Sequence, residues 1–154
     1  MMIPQLTVHR AQAADIPQIA AIEREAFPDP WDERSLREAL ALYPDTFLVA
    51  KEDGRIVGFV AGGLQDTGEE RYGHIMNLAV LPECRRRGIG GLLVSRVERL
   101  FAYAGAAGVQ LEVRITNHAA QQFYRRLGYR EVFQIHGYYA DNEEALVMMK
   151  WFRF

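Results

Sequence analysis

Residues 75–91 constrain this chain more than any other stretch. They read Ile-Met-Asn-Leu-Ala-Val-Leu-Pro-Glu-Cys-Arg-Arg-Arg-Gly-Ile-Gly-Gly. The apolar run suits a buried strand, and Pro82 stops it because proline has no N–H to give to a ladder. Three arginines and Gly88, Gly90 and Gly91 follow, and from Ile89 to Phe101 apolar residues recur at helical spacing. Strand, basic glycine turn, helix is the order of an anion site. Glycines let backbone approach a ligand, and the first N–H groups of a helix point at it with the positive end of the dipole. A P-loop is excluded because no Lys-Ser or Lys-Thr pair follows the glycines, and a dinucleotide fingerprint is excluded because Leu93 stands where its third glycine belongs. What remains, R-x-x-G-x-G at Arg85–Gly90, is either a phosphate site or a solvated charge run before a surface helix.

The rest of the chain supplies a frame. Leu6–Arg10 reads as a strand. Asp15 is a candidate cap for a helix whose one face holds Ile16, Ile19, Ala20, Glu23, Ala26 and Phe27, all apolar but one. Pro28 and Pro30 end that helix and stiffen a loop carrying Phe27 and Trp31. A second helix starts at Asp32 or Ser35. Phe47–Lys51 and Ile56–Ala61 flank Asp53-Gly54, a hairpin signal. Polar, glycine-bearing 62–73 reads as a loop, His74–Val80 as the central strand. After the turn and its helix, Gln110–Ile115 alternates, with Gln110, Glu112 and Arg114 on one side. Asn117 caps another helix, which Gly128 ends, and 129–135 and 145–151 are strands. The order βααβββαβαββ predicts one mixed α/β sheet in a single domain, 1–154. The helix between strands 74–80 and 110–115 demands a parallel crossover, and ligands of such sheets lie beyond the carboxyl ends of strands, where the arginine turn falls.

Composition narrows the classes. At 154 residues the chain can bury a real core, and 49% hydrophobic with 25% charged residues is globular. A net charge of −2 argues against broad nucleic-acid binding. One cysteine excludes an internal disulfide and a cysteine zinc cluster. No apolar run approaches a membrane span. Met1-Met2-Ile3-Pro4 does not look like a signal peptide, so a cytoplasmic location is expected.

Several stretches together carry a resemblance: Asn77-Leu-Ala-Val-Leu-Pro-Glu, Arg86-Arg-Gly-Ile-Gly, Leu111-Glu-Val-Arg, Asn117, Phe123-Tyr-Arg-Arg-Leu-Gly-Tyr and Tyr138-Tyr139. In this order and spacing they resemble the GCN5-related N-acetyltransferase (GNAT) family. The Leu-Glu-Val-Arg, Asn and Phe-Tyr-x-x-Leu-Gly-Tyr combination, with the early Ala-Phe-Pro…Pro-Trp, is similar to its RimI-type branch of ribosomal-protein alanine N-acetyltransferases. The resemblance implies the GNAT fold, with central strands splayed around acetyl-CoA as co-substrate, and no metal. It implies that Leu78, Ala79 and Val80 pair with the pantetheine arm and that Val80 N–H polarises the thioester carbonyl. Arg85, Arg86, Arg87, Gly88, Ile89, Gly90 and Gly91 would hold the phosphates, and Asn117 would touch the cofactor.

The resemblance places Glu112 at the general base and Tyr124 at the general acid. Each has a plainer reading: an ion pair of Glu112 with Arg114, and a half-buried aromatic. His74 is a candidate proton relay or an ordinary strand-start histidine. Phe27, Trp31, Tyr138 and Tyr139 would line the acceptor entrance, or merely pack. The expected acceptor is a protein N-terminus, first a ribosomal-protein alanine, with no direct nucleic-acid or membrane partner. At pH 7 neutralising an α-amine costs roughly 1.4 kcal/mol and a lysine roughly 4.6 kcal/mol, which favours an N-terminus. The alternatives are a small amine or lysine acceptor, or a non-catalytic coenzyme A sensor. Three residues depart from the pattern: Cys84, a thiol beside arginines, Gly91 and Gly137. The aromatic tail, Trp151–Phe154, either closes the core or meets a partner.

Overall fold

In a computed structural model describing residues 5–153, one sheet of seven strands is ordered β1-β2-β3-β4-β5-β7-β6. Met1–Pro4 and Phe154 lie outside the described residues. The strands are β1 (Leu6–Arg10), β2 (Phe47–Glu52), β3 (Arg55–Asp66), β4 (Arg71–Val80), β5 (Gly108–Arg114), β6 (Arg130–Ile135) and β7 (Ala145–Trp151). The helices are α1 (Ile16–Ala26), α2 (Glu33–Leu42), α3 (Ile89–Tyr103) and α4 (His118–Arg126). The order is the one read from the sequence. Neighbours are antiparallel except β4 and β5, which are parallel and joined through α3.

The stretch expected as a loop, 62–73, is mostly strand. β3 runs on to Asp66 and β4 starts at Arg71, which leaves a turn of four residues. The glycines that suggested a loop serve close packing. A Cβ on Gly73 would lie 2.2 Å from Phe101 of α3, one on Gly62 2.8 Å from the same ring, and one on Gly63 2.9 Å from Tyr43. Gly62 and Gly63 point to opposite faces of the strand, so α3 covers one face and the end of α2 reaches the other. α3 sends Ile89, Leu93, Val94, Val97 and Phe101 into the core, each contributing roughly 1.5–3 kcal/mol if fully transferred from water.

Caps follow the sequence with one exception. Asp32 accepts from Ser35 N–H at 2.8 Å and Asn117 from Ala120 N–H at 3.1 Å. Asp15, expected to cap α1, accepts instead from Gln12 N–H at 2.9 Å, closing the 3-10 turn before α1. Cys84 is buried in the core. Phe152 packs against that core while Trp151 stays half exposed. No helix among the described residues is long and apolar enough to cross a membrane.

Candidate active site

The sheet splits at its one parallel seam. β4 and β5 pair only from Gly73/Val109 to Ile75/Leu111. Beyond that rung β4 stays with β3 as far as Val80, and β5 stays with β7 as far as Arg114. The β3–β4 register shifts between Ala61 and Gly62, a bulge that bends β4 just where it leaves β5. A wedge therefore opens between two half-sheets.

Backbone alternation decides what lines it. Leu81 N–H donates to Val57 at 2.8 Å on β3, and the register pairs Phe59 with Ala79 in the same sense. Ala79 thus spends its backbone on β3, while the N–H groups of Leu78 and Val80 face the wedge. This separates three residues that the sequence reading had grouped as backbone partners of one ligand.

At the carboxyl end of β4 the arginine turn leads into α3. Gly88 caps the helix at φ +81°, where a side chain would be strained. Leu92 N–H is the first to bond back, to Gly88 at 3.0 Å, so the N–H groups before it are free of intrahelical partners. Side chains added at Gly88 or Gly91 would meet open space, whereas Gly90 is pressed by Phe123 of α4. The three arginines differ. Arg87 is paired with Glu52, and Arg85 Nε donates to Val80 O at 3.2 Å. Arg86 makes no side-chain hydrogen bond among the described residues and is the freest of the three.

His74 pairs with Gln110 on the middle rung, and its Nε2 reaches Oε2 of Glu112, one residue past the last rung, at 2.7 Å, with both side chains largely buried. An ionised carboxylate only accepts, so Nε2 carries the hydrogen. The plainer alternative, an ion pair of Glu112 with Arg114, is absent among the described residues. Alternation does put both on one side of β5, but Arg114 reaches Asp29, Asp141 and Glu143. His74 is likewise not a strand-start residue, because β4 begins three residues earlier.

Two tyrosines stand within electrostatic reach of Glu112. Tyr138 and Tyr139 meet edge to face at 5.0 Å. Burial raises the pKa of both, and the nearby Glu112 carboxylate adds to it. Tyr124, on α4, packs edge to face on Phe123 and Tyr129. Burial first, and Tyr139 second, hold its phenol well above its ordinary value. Its hydroxyl has no hydrogen-bond partner among the described residues. Phe27 and Trp31 are half-buried against the core, and Trp31 N–H donates to Glu23 Oε2 at 2.9 Å. Asn117 uses Oδ1 to cap α4, which leaves its amide N–H groups for a ligand.

Sequence reasoning missed two residues here. Glu23 is 1% exposed, accepts from Trp31 N–H and from Asn77 Nδ2 at 2.9 Å, and leaves Oε1 without a partner. Its signal was visible as the single polar residue on an apolar helix face. Arg114 had no such signal, because all three of its carboxylates come from distant loops. No group of three or more His, Cys, Asp or Glu side chains among the described residues is placed to hold a metal.

A parallel seam opens beside a basic helix-capping turn, with the Glu112 carboxylate at the point of parting. Residues 16–129 match the acetyltransferase (GNAT) family model. The chain is 38% identical to an uncharacterised N-acetyltransferase of Methanocaldococcus jannaschii, over 94% of this chain and 91% of that one. It is 33% identical to an N-alpha-acetyltransferase of Sulfurisphaera tokodaii (92% and 90%) and 31% identical to a putative ribosomal protein bS18 alanine N-acetyltransferase of Bacillus subtilis (96% and 96%). Among solved structures, Chaetomium thermophilum Naa20 in complex with a bisubstrate analogue superimposes with a TM-score of 0.87 at 31% identity, covering 94% of this chain and 86% of that one. The chain belongs to the GNAT family and is an acetyl-CoA-dependent N-acetyltransferase. Its residues fit that co-substrate: an unpaired strand edge for an amide-bearing arm, and an open helix start with a free arginine for phosphates.

Proposed function

We propose that this enzyme acetylates the α-amino group of a protein N-terminus by direct transfer in a ternary complex, with a ribosomal-protein N-terminal alanine as the first candidate acceptor. The observation that carries the reading is the His74–Glu112 pair at 2.7 Å, set where β4 and β5 part and beside Tyr138 and Tyr139. Similarity to the Sulfurisphaera tokodaii and Bacillus subtilis enzymes supports the N-terminal and the alanine parts respectively.

Acetyl-CoA supplies the activated acyl group. Leu78 and Val80 bind through the open edge of β4, Arg85, Arg86 and the N–H groups of 88–91 take the phosphates, and Asn117 and Ile89 flank them. Val80 N–H polarises the acyl oxygen. Glu112, oriented by His74, accepts the acceptor amine's proton directly or through one water. An α-amine gives up that proton roughly 3 kcal/mol more cheaply than a lysine at pH 7, so one carboxylate is base enough. Tyr124 donates a hydrogen bond to the departing sulfur. Its raised pKa keeps the phenol protonated and ready to donate. Phe27, Trp31, Tyr138 and Tyr139 wall the acceptor's entrance.

A panel of peptides differing in their first residue, run beside free amines and lysine peptides with blocked termini, tests this. Free N-termini should have the highest kcat/KM, with Ala-starting peptides foremost. A polyamine or a blocked lysine peptide outperforming every free N-terminus would overturn the reading.

A further inference from the structure

Arg114 has no task in the chemistry above, yet both terminal nitrogens of its guanidinium are paired and one face lies over an aromatic ring. Nη2 lies 2.7 Å from Asp29 Oδ1. Nη1 lies 2.9 and 3.0 Å from the two Asp141 oxygens and 3.3 Å from Glu143 Oε1. The guanidinium Cζ stands over the Tyr139 ring, 4.2 Å from the centroid. The side chain is only 12% exposed. Desolvation pulls its pKa down, but the bonds to Asp29 and Asp141 outweigh it and the net shift is upward.

These partners come from two places. Asp29 sits in the segment between α1 and α2, flanked by Pro28 and Pro30. Asp141 and Glu143 sit in the segment between β6 and β7. Arg114 itself stands on β5, which is paired with β7 along its whole length.

We propose that Arg114 is a positioning residue that ties these two loops to β5 and so fixes the shape of the acceptor entrance. The proposal rests on the reading that the acceptor enters between them. The tie reaches the aromatic walls on both sides. On one, Arg114 stacks on Tyr139, which touches Tyr138 edge to face. On the other, two prolines make Asp29 part of a stiff loop. Trp31 N–H is fastened to Glu23 Oε2, and Phe27 N–H to Glu23 O at 3.1 Å. Holding Asp29 therefore holds Phe27 and Trp31.

A lysine cannot do this. An ammonium is a point charge with no plane to stack and no fork to serve separate carboxylates at fixed angles. With no cation at 114, three carboxylates would face one another and repel, and the loops would spread. With arginine present the carboxylates still outnumber it, which leaves a negative field that suits an incoming α-ammonium group.

The test compares wild type with Arg114→Met and Arg114→Lys in steady-state kinetics on the best peptide of the panel. Misplacement of a bound reactant by about 1 Å can cost on the order of a hundredfold. Acceptor KM is therefore expected to rise at least tenfold in both variants, with KM for acetyl-CoA changed less than twofold. A double-mutant cycle of Asp29→Asn and Asp141→Asn separates a shared tie from independent packing. The two effects on acceptor KM should be non-additive with Arg114 present and additive in the Arg114→Met background. Unchanged acceptor KM in folded Arg114→Met, or additivity in both backgrounds, overturns the proposal. Amide exchange tells the two readings apart. If wild type acetylates no free N-terminus, the acceptor reading has failed, and the tie still predicts that Arg114→Met loses protection in 27–31 and 138–144 together. Unchanged protection in either segment would refute the tie by itself.

Discussion

Glu23 is a carboxylate where helix packing alone would place an aliphatic residue. Two hydrogen bonds hold Oε2 and none holds Oε1, so burial outweighs them and raises the pKa above its ordinary value of 4.5. The sign for stability follows. The folded state binds this proton more tightly than the unfolded state. The stability tied to it is full below 4.5 and is lost as pH rises through the raised folded value. Glu23→Gln removes the titration and keeps one acceptor for Trp31 and Asn77. Urea denaturation across pH 4 to 8 should show the variant gaining on wild type as pH rises from 4.5, then a plateau. A gain for wild type over that interval would contradict the assignment. The same residue ties Trp31 to Asn77, so it links the α1–α2 loop to the strand that borders the wedge.

At the scale of elements, the close approach of α3 to the sheet is set by glycine. A Cβ at Gly73 would stand 2.2, 2.4 and 2.6 Å from atoms of the Phe101 ring, which is fully buried. Overpacking of this kind costs about 1–3 kcal/mol. Gly73→Ala should therefore lose at least that much in chemical denaturation, and a loss under 0.5 kcal/mol, on the order of a surface change, would show that α3 can move aside. This also explains what could not be read along the chain. Gly62, Gly63 and Gly73 look like loop residues by type, and only the rings of Phe101 and Tyr43, far off in sequence, reveal them as strand. By contrast, α3, β5 and the Asn117 cap were legible, because period, alternation and cap chemistry are local. Arg114's partners were hidden for the opposite reason. Asp29, Asp141 and Glu143 look like solvated turn residues until the fold brings two loops to one guanidinium.

At the scale of the whole molecule, the sheet is two half-sheets sharing three paired rungs, 73–75 with 109–111. In the proposed mechanism the chemistry is divided between them. β4 offers the open N–H groups of Leu78 and Val80 and carries His74, while β5 carries Glu112, and the His74–Glu112 bond spans the seam at the point of parting. That placement was half legible. Glu112 and Tyr124 were marked by the resemblance, but the only partner alternation offered Glu112 was Arg114 on its own strand, and the observed one, His74, lies on the neighbouring strand. Binding and proton transfer should thus be separable by one substitution. Glu112→Gln preserves size and hydrogen bonding to His74 while removing the base. The decisive measurement is kcat for Glu112→Gln together with its Kd for acetyl-CoA. Loss of a general base costs about 10²–10⁴-fold, so kcat should fall by that range while Kd stays within twofold of wild type. An unchanged kcat would remove Glu112 from the reaction and with it the central claim that the seam between β4 and β5 is where the proton is taken.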